Sequence, residues 1–233
     1  MKIKAIRRVQ IDSAKYDFAV EKVHNYFANG VLVHNCSATY FVKDGVFGVC
    51  SRTCLKYTSE LGNRSLAFRK FILKLFGVKF NLDSNSHWVK VAVEQQIEIK
   101  LRRAMEFFHT DNIAIQGEII GPGVGSAVSQ SLTYKRTKNE LYVFDIFVDN
   151  KFLDYSLFKA FMDYMGLTPV PLVSFALPPD KGEMLKYADG KSKLADCPRE
   201  GLVWKPTHER MHPHLGRLML KVISPEFQLK YNL

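Results

Sequence analysis

No apolar run in this chain approaches membrane-spanning length, and its opening, MKIKAIRRVQID, lacks the continuous apolar core of a secretory signal. There is no internal repeat and no low-complexity tract. Cysteine is sparse: Cys36, Cys50, Cys54 and Cys197 show no disulfide-framework spacing, and the C-x₃-C at 50–54 has no second pair to complete a zinc site. Unpaired thiols of this kind fit a reducing, cytoplasmic compartment. Acidic residues are outnumbered, 23 against 33 Lys and Arg, leaving a net charge of +10 and a pI near 9.4. That imbalance suits a phosphate-rich or nucleic-acid partner. With 47% hydrophobic and 24% charged residues, the 233-residue chain has the composition of a globular protein, enough for one ordinary domain and a small appendage.

What is present begins with Tyr16 to Cys36, YDFAVEKVHNYFANGVLVHNC. The stretch ends in His34-Asn35-Cys36, three side chains able to cut one peptide bond and make another. The Asn35 carboxamide can attack its own backbone carbonyl and close a succinimide, breaking the Asn35–Cys36 bond. His34 sits beside that bond and can protonate the scissile amide. Cys36 offers a thiolate that can take an acyl group before the cut. A plain hairpin turning at Asn29-Gly30 accounts for that dipeptide but not for the tripeptide that follows.

The whole string resembles the C-terminal splicing blocks of inteins. The resemblance implies that Asn35 is the cyclising terminal residue, His34 its penultimate helper and Cys36 the first residue of the downstream host segment. His24 and Asp17 would assist the acyl transfers from behind. Residues 1–35 open on Met1 and contain none of an intein's N-terminal blocks, so the expectation is a C-terminal split-intein fragment, all-β and Hint-type, that works only in trans. This piece carries six Lys/Arg against three Asp/Glu, so its partner fragment is expected to be acidic.

Coarse patterning extends the reading along the chain. Strands are predicted at Lys2–Val9, Tyr16–Val20 and Val31–Val33, with no helix before residue 36. Ala38–Val42 and Val46–Ser51 read as strands joined by a turn at Lys43-Asp44-Gly45. Apolar spacing predicts a helix over Ser65–Phe76 and one long amphipathic helix over Ser86–Phe107, with Trp88, Val91, Ile97, Leu101 and Met105 packing into the core. Further strands fall at Asn112–Ile120, Glu140–Val148, Gly201–Lys205 and Leu218–Ile223, with short helices at Leu157–Tyr164 and Gly182–Tyr187. Strands and helices mix without βαβ alternation, which predicts an α+β fold. Two domains are expected, 1–35 and 36–233.

Charged residues then recur inside strand-like segments, where an uncompensated charge would be costly in a core and is better placed on a cavity wall. The segments are GVCSR with Arg52, AIQGEIIGPG with Glu118, REGLVWKP with Glu200 and Lys205, and LKVIS with Lys221. Two carboxylates, two lysines and an arginine suit a nucleoside triphosphate and its metal ion. In this order, and with YVFDIF supplying Phe144, the segments resemble the motifs of covalent nucleotidyltransferases, most closely RNA ligases of the Deinococcus type. The resemblance implies that Arg52 contacts sugar or phosphate and Phe144 stacks on the base. It assigns Glu118 and Glu200 to ribose and to Mg2+ or Mn2+, and Lys205 and Lys221 to the phosphates of ATP. Position 223 is Ile where many relatives carry a second lysine, so only Lys221 is transferred. His208, His212 and His214 read as a solvated or RNA-contacting loop.

One part is missing. Such enzymes adenylate a lysine in a Lys-x-Asp-Gly motif just before the strand that starts here at Ser37, and no such motif occurs in this chain. Lys43-Asp44-Gly45 lacks the intervening residue and lies one strand too late. The expectation is therefore a trans-splicing precursor whose partner ends its host part in Lys-x-Asp-Gly, the joined product sealing RNA ends with ATP. A non-enzymatic RNA-binding protein with remnant motifs and a DNA ligase host are the alternatives.

Overall fold

The computed structural model describes residues 3–9, 15–20, 26–28, 31–33, 37–51, 54–59, 79–80, 85–124, 134–174, 177–213 and 216–231, with side chains described from residue 37 on except at 54, 79, 80 and 231. The chain divides into two compact units, residues 35–170 and residues 1–34 with 171–233.

In the first 34 residues, β1 (Ile3–Val9) pairs antiparallel with β2 (Lys15–Val20), and β3 (Tyr26–Ala28) with β4 (Val31–Val33). The predicted turn residues Asn29 and Gly30 lie outside the described residues.

Residues 35–170 are organised by a seven-stranded sheet. Its members are β5 (Ser37–Lys43), β6 (Val46–Ser51), β7 (Cys54–Thr58), β8 (Lys79–Phe80), β9 (Asn112–Ile120), β10 (Glu140–Val148) and β11 (Lys151–Phe152), in the order β11-β10-β9-β5-β6-β7-β8. All neighbours are antiparallel except β7 and β8. β5 and β9 alternate strictly between buried and half-buried residues, the period-two signature of a sheet with one covered face. Ala38, Tyr40, Val42, Ile113, Ile115 and Ile119 form that covered face. Against it pack α1 (His87–Glu94), α2 (Ile97–Phe108) and α3 (Tyr155–Met165), through Val91, Ile97, Leu101, Phe161 and Met162 among others. Lys43-Asp44-Gly45 is a hairpin turn, as its composition indicates. Asp44 and Gly45 both have positive φ, +50° and +78°, the conformation that a two-residue turn of right-handed twist requires.

The sequence pattern predicts one helix over Ser86–Phe107, and the structure breaks it at Gln95–Gln96, where Gln96 is left-handed with φ +54°. The reason is phase. At 3.6 residues per turn, Val91 and Ile97 would stand roughly a third of a turn apart on an unbroken helix, yet both are fully buried on the same side. The break rotates the second helix so that both apolar stripes meet the sheet. The helix expected over Ser65–Phe76 lies outside the described residues. No helix among the described residues is long and apolar enough to cross a membrane.

Residues 171–233 contain α4 (Lys181–Ala188), α5 (Pro225–Tyr231) and two short ribbons. One pairs β12 (Gly201–Trp204) with β15 (Leu220–Ile223), the other β13 (Met211–His212) with β14 (Gly216–Arg217). The architecture is a mixed, mainly antiparallel α+β one, as the patterning predicts.

The helix break yields a test. Gln96→Gly relieves a left-handed non-glycine residue and should raise stability by about 1 kcal/mol in urea unfolding. On an unbroken helix the same change would lower stability by a similar amount.

Candidate nucleotidyltransferase site

The chemistry-bearing residues of the large sheet stand on the face turned away from the helices. Register places them. Ser37 is the cross-strand partner of Glu118, and Glu118 in turn faces Tyr142 on β10, so Ser37, Glu118 and Tyr142 form one row. The next row on that face is Cys50, Thr39, Gln116 and Asp145. Phe144 is the extra residue where the register shifts between Val143 and Asp145. A bulge of this kind re-aims a side chain, and Phe144 is half-buried and absent from the helix-side core. Tyr142 donates its hydroxyl to Glu140 at 3.1 Å. Burial, then that hydrogen bond, pushes its phenol above the usual range.

The start of β5 is tied down from the helix side. Trp88 donates its indole N–H to the Ser37 carbonyl at 3.1 Å, and Tyr40 donates its hydroxyl to the Trp88 carbonyl at 3.0 Å. Lys56 stands over the Trp88 ring at 5.4 Å. Trp88 does pack against the core, as its pattern predicts, but it also fixes the start of β5. The signal available was chemical: a half-buried tryptophan needs a partner for its N–H.

The other unit carries the second half of the motif set. Glu200 precedes β12 and accepts a hydrogen bond from the Lys221 ammonium of β15 at 2.8 Å. The two strands approach so closely that a Cβ at Gly201 would stand 2.1 Å from the Val222 carbonyl oxygen, so only glycine fits beside Glu200. Arg199, on the other side of Glu200, donates to the carbonyls of Tyr187, Ala188 and Asp189 at the end of α4. Ser224, fully buried, donates its backbone N–H to the Glu200 carbonyl at 2.8 Å and its hydroxyl to Asp189 at 2.6 Å. Arg199 and Ser224 therefore hold Glu200 from both sides; neither was singled out from the sequence. Lys205 follows β12 and is half-buried. Nearby in sequence, Arg217 donates its Nε to Glu209 at 2.7 Å in a two-pronged, largely buried ion pair.

Of the residues that the intein resemblance singles out, His24, His34, Asn35 and Cys36 lie outside the described residues. Asp17 is on β2 as the partner of Arg7. Arg52 and His214 also lie outside the described residues. Glu118 and Phe144 belong to one unit, and Glu200, Lys205 and Lys221 to the other.

The sequence family described as RNA ligase matches residues 33–223. The chain belongs to the RNA ligase family. A comparison with curated proteins found no match. Among solved structures, the chain is similar to Naegleria gruberi RNA ligase. A lysine-to-alanine variant of that ligase with ATP and Mn matches at 21% identity and a TM-score of 0.60, covering 85% of this chain and 49% of that one. The same ligase with PPi matches at 21% identity and a TM-score of 0.59, covering 85% and 49%. A lysine-to-methionine variant with AMP and Mn matches at 22% and 0.60, covering 86% and 50%. At these identities the likeness establishes the fold, and this chain spans about half the length of the ligase structures it matches.

Two measurements test the anchoring of β5. Trp88→Phe should cost about 1 kcal/mol in urea unfolding, the worth of one hydrogen bond, and should remove a slowly exchanging indole N–H. Burial holds the Tyr40 phenol far above its ordinary value, so the folded state resists its ionisation. The stability this contributes is complete below the unfolded-state pKa of about 10 and declines as pH rises beyond it. Tyr40→Phe should flatten that alkaline decline.

Proposed function

We propose that this chain is the C-terminal part of an ATP-dependent RNA ligase assembled by protein trans-splicing. The family match over residues 33–223 carries the ligase part, and the related folds solved with ATP, AMP and PPi hold the compounds that nucleotidyl transfer consumes and releases. In this reading the partner supplies Lys-x-Asp-Gly immediately before Cys36. Its lysine attacks the α-phosphorus of ATP, pyrophosphate leaves, and AMP passes to an RNA 5′-phosphate before a 3′-hydroxyl displaces it.

This chain's own residues bind and orient. Phe144 stacks on the base and Arg52 reaches ribose or phosphate. Lys205 and Lys221 neutralise the charge that grows on the phosphates, with Lys221 kept in place by Glu200 at 2.8 Å. The donor set fits a hard divalent ion, which at a triphosphate takes one or two carboxylates and fills its shell with phosphate oxygens and water. Glu118 and Glu200 would hold Mg2+ or Mn2+, which supplies further neutralisation of the triphosphate.

For splicing, Cys36 takes the partner's acyl group, Asn35 cyclises with His34 protonating the scissile amide, and an S-to-N shift leaves an ordinary peptide bond. His24 and Asp17 assist the transfers. A reducing cytoplasmic setting keeps Cys36 a thiol. The support for this half is the text from Tyr16 to Cys36, together with the strand-only backbone described before residue 34.

The test is to mix this chain with an N-terminal half ending in Lys-x-Asp-Gly and a Cys-initiated, acidic intein fragment, and to record intact masses with and without ATP. The expected result is a released 1–35 peptide ending in succinimide and one joined product, which gains the mass of AMP. Asn35→Ala should block peptide release. Lys221→Ala and Lys205→Ala should leave splicing intact and slow adenylation by at least roughly a hundredfold, the scale of losing one preorganised charge. Unchanged masses with a matched partner would remove the splicing half. A joined product that never gains AMP would remove the ligase half.

A further inference from the structure

At the edge of the large sheet, the first residues of β10, the α1–α2 break and the end of α3 line a half-open cavity of about 480 Å³. Three cations line it, Lys100, Arg136 and Lys138, with two carboxylates, Glu94 and Glu140. Those charges are unevenly matched. Glu140 accepts the Tyr142 hydroxyl at 3.1 Å and stands 3.6 Å from Arg136 and 4.0 Å from Lys138. Lys100 makes no ion pair among the described residues; its ammonium donates to the carbonyl of Gly166 at 3.0 Å. A neutral carbonyl leaves the charge uncompensated and two of its three N–H donors available. Burial accordingly pushes the Lys100 ammonium below its ordinary range. Gln95, Gln96 and Asn139 complete the wall.

Position adds the second argument. Tyr142, on the cavity wall, is the cross-strand partner of Glu118, which pairs on its other side with Ser37. The cavity therefore lies at the same end of the sheet as the junction where the partner's lysine would enter. Two strand spacings, roughly 10 Å, separate Tyr142's strand from β5.

The geometry points to a phosphate-binding site at this cavity, built on Lys100 and Arg136, that holds a backbone or terminal phosphate of the RNA strand being joined. An incoming phosphate compensates Lys100, and the planar guanidinium of Arg136 offers the fork that matches its oxygens. The assignment deepens the ligase reading and rests on it for the identity of the strand.

The test uses the full chain and a labelled oligoribonucleotide with a 5′-phosphate, titrated by fluorescence anisotropy at several salt concentrations, with ATP and pyrophosphate titrated in parallel. Lys100→Gln and Arg136→Gln should each weaken RNA binding roughly three- to tenfold and lower the salt slope by about one. Lys100→Arg should restore both, which separates lost charge from lost folding. Lys159→Gln, on an exposed residue paired with Asp163, should change neither. RNA binding and slope equal to the parent's in both Gln variants would overturn the site, as would a loss confined to ATP or pyrophosphate. Adenylation of the reconstituted enzyme is read alongside. Normal adenylation with unchanged RNA binding removes this site and leaves the ligase reading. Absent adenylation in the parent, with weakened RNA binding in the variants, removes the ligase reading and leaves a phosphate site.

Discussion

The pairing of β5 with β9 is the constraint on which the rest depends. A strand's side chains alternate with a period of two, so a slip of one residue would exchange its two faces. In the observed register Tyr40 and Ile115 go under the helices while Ser37 and Glu118 go to the opposite face. The same hydrogen-bonded ladder thus builds the core and sets the Glu118 carboxylate opposite Ser37 at the start of β5. Burial of the apolar face enforces the register, since exposing Tyr40, Val42, Ile113 and Ile115 would forfeit about 2 kcal/mol or more apiece. Trp88 and Tyr40 lock the end of that ladder from the helix side.

A second device serves the other unit. Lys221 sits on β15 and Glu200 just before its partner strand β12, and their opposite charges satisfy each other without ligand. Half-buried carboxylates and ammonium groups are costly when single and tolerable when paired. The pairing also limits what either residue can do next: a phosphate that takes Lys221 must share it with Glu200. Arg199 and Ser224 prevent the strand from relaxing instead, because both bond to the end of α4.

Much of this was legible in residue order. Alternation in β5 and β9, the Asp44-Gly45 turn and the family motifs around Glu118, Glu200 and Lys221 are local patterns, and local patterns survive folding. The helix break at Gln96 was not legible, because neither Gln95 nor Gln96 is a helix breaker. What decides it is the demand of a shared sheet on Val91 and Ile97, a tertiary override of propensity. Arg199, Ser224 and Trp88 escaped for a related reason. Each acts through a hydrogen bond to a backbone carbonyl or to a side chain distant in sequence, and such bonds leave no spacing to read. Lys100 and Arg136 lie far apart in the chain and meet in one cavity only through the fold.

In the ligase reading proposed above, Glu118 serves nucleotidyl transfer onto a lysine that the partner supplies. The most direct measurement bypasses splicing. An N-terminal ligase half ending in Lys-x-Asp-Gly is joined by an ordinary peptide bond to Cys36, the protein is incubated with ATP and a divalent ion, and its covalent AMP is located by peptide mass. AMP on that lysine, and its loss when Glu118 is changed to Ala, is the predicted result. A folded product that never acquires AMP, or acquires it equally with Glu118→Ala, would contradict the claim.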